Sequence, residues 1–203
     1  MSTAQVIKYI AGSYRTNIYL VYDPETKAAF IVDPGYDVPK LYSDIERLNL
    51  DPLYIILTHG HGDHTGGIDG LKKTFPNIKL VASSKEKKLL FNRDMSMGKG
   101  GIIADIEVVD GDTMKVGNID LSFISTPGHT PGGMCILMDD VLFSGDTLFR
   151  MSVGRTDFPG GDEKSLLESI RNKLMILPDD TEVLPGHMEE TTIGIERRYN
   201  PFV

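Results

Sequence analysis

Long apolar runs are absent from this sequence, cysteine is nearly so, and basic residues are outnumbered. No stretch approaches the roughly 20 apolar residues that a membrane-spanning helix requires, so no membrane role is expected. The N-terminal residues Met1 to Gln5 lack a basic patch followed by an apolar stretch, so no secretory signal is expected either. Cys135 is the single cysteine, which excludes an internal disulfide and a cysteine-rich zinc knot. A reducing, cytoplasmic compartment follows as the expectation. The 21 Lys and Arg face 29 Asp and Glu, a net charge of −8. That balance argues against a protein that grips phosphate backbones, so no nucleic-acid partner is expected. Repeats, low-complexity tracts and Pro/Gly/Ser-rich linkers are missing too, and the expectation is one domain, 1–203.

What the chain does have is alternation. Residues 6–10, 17–22 and 28–32 are short, β-branched and aromatic, and predict strands. Residues 38–48 carry apolar side chains at helical spacing, and 53–57 read as a buried strand. Helices are predicted over 65–75 and 84–91, with a strand at 79–82 between them and a Gly- and Met-rich loop over 93–104. Five strands follow, at 106–109, 113–116, 119–125, 133–138 and 141–143. An amphipathic helix over 163–177, a strand at 182–184 and a helix over 191–199 close the chain. Runs of strands broken by amphipathic helices predict an α/β (α+β) protein with two sheets packed face to face and helices on their outer sides.

The five histidines are distributed with a pattern. His59, His61 and His64 fall within Thr58-His59-Gly60-His61-Gly62-Asp63-His64, directly after a predicted strand. Four candidate ligands in six residues predict a tight coil, with Gly60 and Gly62 supplying the unusual backbone angles. His129 sits in Pro127-Gly128-His129-Thr130, His187 in Pro185-Gly186-His187, and Asp146 in Ser144-Gly145-Asp146. Each again follows a strand through a glycine-containing turn. A lone histidine is commonly a satisfied core residue; four strand ends delivering His or Asp alike point to a metal centre. Imidazole with carboxylate suits zinc first, with iron or manganese as alternatives.

The ordered set Thr-His-x-His-x-Asp-His, Pro-Gly-His-Thr, Gly-Asp and Pro-Gly-His resembles the metallo-β-lactamase fold superfamily. The resemblance implies a four-layer αββα sandwich with its site at one edge. It implies two divalent metal ions, one held by His59, His61 and His129, the other by Asp63, His64 and His187. Asp146 would bridge them, with Asp63 and Asp146 as catalytic carboxylates beside a metal-bound hydroxide. A bridging aspartate here also argues against a true β-lactamase. The segment 152–162, Ser-Val-Gly-Arg-Thr-Asp-Phe-Pro-Gly-Gly-Asp, and the ending around Glu196, Arg197 and Asn200 are similar to short glyoxalase II-like hydrolases. Full-length glyoxalase II adds a helical C-terminal domain that holds glutathione; the expectation here is a chain without it. The Gly-Pro usual after the last histidine is replaced by Met188-Glu189.

The resemblance therefore implies thioester hydrolysis of the hydroxyacylglutathione type, on a small-molecule thioester. A thiolate leaves readily because thiol pKa values lie near 8.5, so a general acid is less needed than for an amide. Arg155 is the candidate for a substrate carboxylate, with an ion pair to Asp157 or Asp162 as the alternative. An iron-dependent persulfide dioxygenase of the same fold is the principal rival, since that group also carries Gly-Arg-Thr-Asp-Phe. A lactonase, a phosphodiesterase and a non-enzymatic metal module rank below it. Cys135, in an apolar strand, reads as a buried side chain and not a nucleophile. Oligomeric state is left open by the sequence.

Overall fold

A computed structural model of the chain describes residues 4–203. Among these residues two six-stranded sheets pack face to face. The first contains β1 (Gln5–Ala11), β2 (Thr16–Tyr22), β3 (Ala28–Val32), β4 (Asp51–Ile56), β5 (Lys79–Ser83) and β6 (Ile106–Val108), in that order. The second contains β7 (Thr113–Val116), β8 (Ile119–Ser125), β9 (Met134–Met138), β10 (Val141–Gly145), β13 (Glu182–Pro185) and β14 (Thr191–Thr192). A two-stranded ribbon, β11 (Leu148–Phe149) with β12 (Ser152–Val153), stands apart. β3 to β6 run parallel, and β10 runs parallel to β13.

Strands β2 and β3 are buried along almost their whole length, because both faces of their sheet are covered. Alternate residues of one strand serve two cores. Val21, Phe30, Val32 and Ile56 face the second sheet and meet Leu121, Phe123, Ile136 and Phe143. Leu20, Ile31 and Ile55 face outward onto Leu41 and Ile45 of α1 (Pro39–Arg47) and onto Ile68 and Leu71. On the far side, Cys135, Leu142 and Val183 meet Leu166 of α6 (Glu163–Ser169), with Ile170, Leu174 and Ile193. The result is the expected αββα order of layers, with Cys135 fully buried as read. Phe143 packs edge-on to Tyr19 and Phe30, at centroid distances of 5.4 and 6.4 Å. Its truncation to Ala would cost about 3–5 kcal/mol.

Several boundaries differ from expectation. The predicted helix over 65–75 is two pieces, α2 (Gly62–Thr65) and α3 (Ile68–Thr74). They part at Gly66 and Gly67, where the backbone passes so close to Gly35 and Tyr36 that no Cβ fits. The loop over 93–104 contains a helical turn, α5 (Arg93–Ser96), which follows α4 (Lys87–Phe91) and starts from Asn92, whose Oδ1 accepts from Asp94 and Met95 amides. The long helix over 163–177 is α6 followed by a π-helical turn, Ile170–Leu174. The ribbon β11–β12 was not expected at all; its strands are two residues long, too short for periodicity to register. Among the described residues no helix is long and apolar enough to cross a membrane.

Candidate metal centre

β8 is antiparallel to β9, and β9 to β10, while β10 and β13 are parallel. So β8, β10 and β13 point the same way, and the residues just beyond them share one end of the second sheet. Those residues include His129, Asp146 and His187. β4 of the first sheet delivers His59 and His61 to the same place, and α2 carries Asp63 and His64. Backbone bonds stitch the two sheets together here: Asn17 N donates to Gly186 O at 2.7 Å and Met134 N to Thr58 O at 2.9 Å. Gly145 turns β10 into the site with φ of +50°, a conformation that suits glycine.

The Gly60 and Gly62 expectation is corrected in its reason. Neither residue has a positive φ. Space is what demands glycine: a Cβ on Gly60 would come within 2.7 Å of Leu89, and one on Gly62 within 2.7 Å of the Met97 and Gly98 backbone. The segment is also not coil throughout, since Asp63 and His64 occupy a helical turn.

All seven expected ligands come together. His59, His61 and His129 present ligand atoms within 4.8 Å of one another, and so do Asp63, His64 and His187. Asp146 lies between the sets: Oδ1 is 3.4 Å from His64 Nε2, and Oδ2 is 3.6 Å from His129 Nε2 and 3.4 Å from His187 Nε2.

The outward nitrogens settle which way the lone pairs face. His129 Nδ1 meets the Arg155 carbonyl at 2.7 Å and His187 Nδ1 the Tyr14 carbonyl at 3.1 Å. Carbonyls only accept, so both Nδ1 atoms carry a proton and both Nε2 atoms are the ones turned inward, where a metal would bind. Asp33 fixes two more. It accepts from His64 Nδ1 at 2.9 Å and from Thr58 Oγ1 at 2.5 Å, and Thr58 Oγ1 in turn stands 3.1 Å from His59 Nδ1. The centre is thus walled by acceptors. His64 Nε2 faces His187 Nε2 at 3.3 Å, and His61 Nδ1 faces His129 Nε2 at 2.9 Å. His59 Nε2, His61 Nε2 and Asp146 Oδ1 are buried without a hydrogen-bond partner. Lone pairs converging on one another require a cation or a proton between them. Two nitrogens bound to one tetrahedral zinc stand roughly 3.3 Å apart, which is the His64–His187 spacing. The residues fit a metal.

Electrostatics divides the cluster. Burial pushes His59 well below its ordinary range, and neighbouring imidazoles add to this. Burial, then His129, takes His61 down to about 4. Burial also pulls on His64, but Asp146, Asp33 and Asp63 outweigh it and carry the ring up to about 9. His187 is likewise pulled down by burial and then lifted to about 10 by Asp146 and Asp63. Asp146 is pushed up by burial, but His64, His187 and His129 hold it well below the carboxylate range.

Asp33 and Glu86 were missed by sequence reasoning. Asp33 lies near enough to His59 and His64 to form a third possible ligand group, but both its oxygens already accept from Thr58 and His64, so it orients rather than binds. Glu86 is buried in the 3-10 turn Ser84–Glu86, and nothing in its sequence neighbourhood signalled a role. Arg155 lines the site's cavity, of about 460 Å³, but its guanidinium is held two-point by Asp157 at 2.7 Å and lies 3.8 Å over the Phe158 ring. The alternative expected for it, the ion pair, is the one seen.

The sequence model of the metallo-beta-lactamase superfamily matches residues 11–187, most of the chain. The chain belongs to that superfamily. Among its relatives, the Hydroxyacylglutathione hydrolase GloC of Haemophilus influenzae is 36% identical over 201 residues, covering 94% of each chain. The crystal structure of BLEG-1 B3 metallo-beta-lactamase superposes with a TM-score of 0.91 at 38% identity, covering 98% of this chain and 99% of that one. TTHA1623, solved in a di-iron-bound form, gives a TM-score of 0.85 at 32% identity, covering 98% of this chain and all of the other. The superfamily is one of metal-dependent hydrolases, and this chain has the His and Asp groups to serve as one.

Proposed function

We propose that the protein hydrolyses small thioesters of the hydroxyacylglutathione type, with His59, His61 and His129 holding one divalent metal and Asp63, His64 and His187 a second. Asp146, poised between the two sets, would serve both. The ring nitrogens and carboxylate oxygens that converge from both sets carry this reading, because a buried arrangement of this kind is stable only with positive charge at its centre, and two divalent ions supply it. Two bound cations would supply Lewis acidity toward a carbonyl and a water of lowered pKa. Zinc is the first expectation, with iron or manganese as the alternatives.

The protein's own side chains do the rest. Met97, Phe149, Val153, Phe158 and Met188 line the cavity and offer an apolar bed for an acyl group. Asp63 accepts from Thr16 Oγ1 at 3.4 Å, and burial of its carboxyl is outweighed by His187 and His64, which keep it ionised. Asp146 stays ionised for the same kind of reason. Among the described residues the cavity lining includes no lysine, and its one arginine is engaged by Asp157. A leaving group that departs as an anion needs no such cationic donor, and a thiolate is such a group. The 36% identity to the Haemophilus GloC supports the same choice.

The test is a panel on metal-analysed enzyme: S-hydroxyacyl thioesters, lactones, a β-lactam, phosphodiesters and glutathione persulfide with oxygen. Thioesters are expected to give the highest kcat/KM, by at least about tenfold. One iron per chain with oxygen uptake on the persulfide would replace hydrolysis by dioxygenase chemistry, and preferred cleavage of the β-lactam would move the substrate class.

A further inference from the structure

Glu86 is a carboxylate only 1% exposed, and it takes no direct part in the site described above. Among the described residues no Lys or Arg pairs with it; burial pushes its carboxyl up, and hydrogen bonds oppose that rise. Both its oxygens accept from backbone. Oε2 accepts from Gly60 N at 2.9 Å, and Oε1 accepts from Gly132 N at 2.7 Å. Gly60 lies between His59 and His61. Gly132 lies in the turn that carries His129. These two loops come from different sheets, so one side chain ties together the three residues of a single ligand set across the sandwich.

The fit around Glu86 is close on both sides. A Cβ on Gly132 would come within 2.6 Å of the Glu86 amide, and one on Gly60 would meet Leu89 and Leu90 just downstream. The turn itself is fixed by Ser83, whose Oγ accepts from Lys85 N at 3.3 Å. His64 and His187 have no link to it; their outer nitrogens rest on Asp33 and Tyr14.

We propose that Glu86 is a positioning residue that sets the spacing of His59, His61 and His129, and so governs the metal affinity of that position alone. This role rests on the metal reading of the site but not on thioester chemistry, so failure to find a thioester substrate leaves it standing. Two backbone N–H groups would otherwise be buried unpaired. A Gln in place of Glu86 presents one oxygen and one NH2, so one amide meets a donor in place of an acceptor and its loop moves off.

Purified wild-type protein and Glu86→Gln are stripped, titrated with zinc alone against a competing chelator, and crystallised with zinc for anomalous scattering. Wild type is expected to hold two equivalents. Glu86→Gln is expected to weaken one of them about 10- to 100-fold. The anomalous signal is expected to fall at His59, His61 and His129 and to persist at Asp63, His64 and His187. A purely structural role would lower both sites together or neither. If Glu86→Gln does not fold, Glu86→Asp replaces it, since it keeps the charge but is too short to reach both amides. Two wild-type affinities in the variant, or equal loss at both positions, would overturn the proposal. Wild-type protein that takes up no zinc, iron or manganese would overturn it together with the metal reading.

Discussion

The two halves of the centre are built differently. His59, His61 and His129 form the more sealed half, at 2%, 2% and 4% exposure, with only the edges of His61 and His129 reaching the cavity wall, and they contain no carboxylate. Asp63 and His187 have side chains 20% and 18% exposed and open onto the cavity, with His64 behind them. The sealed half is tied across the sheets by backbone contacts through Glu86, with Asp33 reaching His59 only through Thr58, whereas the open half is held by charge, through Asp33, Asp63 and Asp146. A buried set of imidazoles depends on rigid spacing, because only the shared Asp146 brings negative charge to offset the cost of placing a cation there. An open set with carboxylates attracts a cation over a wider range of geometries. The sealed half is thus the one that geometry can ruin, and the open half the one that charge can ruin.

Asp146 belongs to both halves, so its removal tests the comparison hardest. Asp146→Ala is expected to reduce turnover to the detection limit and to lower zinc content at both positions, with the far-ultraviolet dichroism unchanged. Turnover near wild type would show that the two halves do not share it. His187→Ala comes next. It removes one ligand from the open half only, so the zinc bound there is expected to weaken about 100-fold or more while the sealed half keeps its own. Loss of both ions in that variant would dissolve the distinction between the halves. A smaller effect is expected at the rim. Asp157→Asn releases Arg155 from its two-point pair, and KM for a thioester bearing a carboxylate should fall about two- to fivefold, with KM for an uncharged one unchanged. Equal changes for both substrates would remove Arg155 from substrate recognition.

Much of this was legible in the sequence because it was local. The seven ligands each follow a strand through a short turn, and runs such as Thr58 to His64 announce themselves by composition. The layer order was legible from the alternation of strands with amphipathic helices. Asp33 and Glu86 were not, because their meaning lies wholly in long-range partners: His64 is 31 residues from Asp33, and Gly132 is 46 from Glu86. No periodicity records a buried carboxylate that accepts from a backbone amide on another sheet. The glycines of the first ligand segment were read correctly as necessary but for the wrong reason, since crowding by Leu89 and by the Met97–Gly98 backbone is likewise a tertiary fact.

Asp44 offers the contrast that isolates the site's carboxylates from ordinary buried ones. It too is buried, at 3% exposure on α1, yet its partners are complete. Arg47 donates to it at 2.8 Å, the Tyr9 hydroxyl at 2.9 Å, and Lys40 lies 3.2 Å away. Hydrogen bonds from Arg47 and then Tyr9 outweigh burial and hold its carboxyl down at about 2, against an ordinary 3.8. A carboxyl depressed in the folded state stabilises the fold above its unfolded pKa, and that contribution disappears as the pH falls through the folded value. The stability gap between wild type and Asp44→Asn is therefore expected to be full above about pH 4 and to close between about pH 4 and 2. Urea denaturation of the stripped proteins across that range measures it, and zinc should leave the gap unaltered. A gap that stayed constant down to pH 2, or that grew with added zinc, would mean that Asp44 is not the self-sufficient carboxylate its partners make it, and that the unsatisfied character of Asp146 is less distinctive than its surroundings indicate.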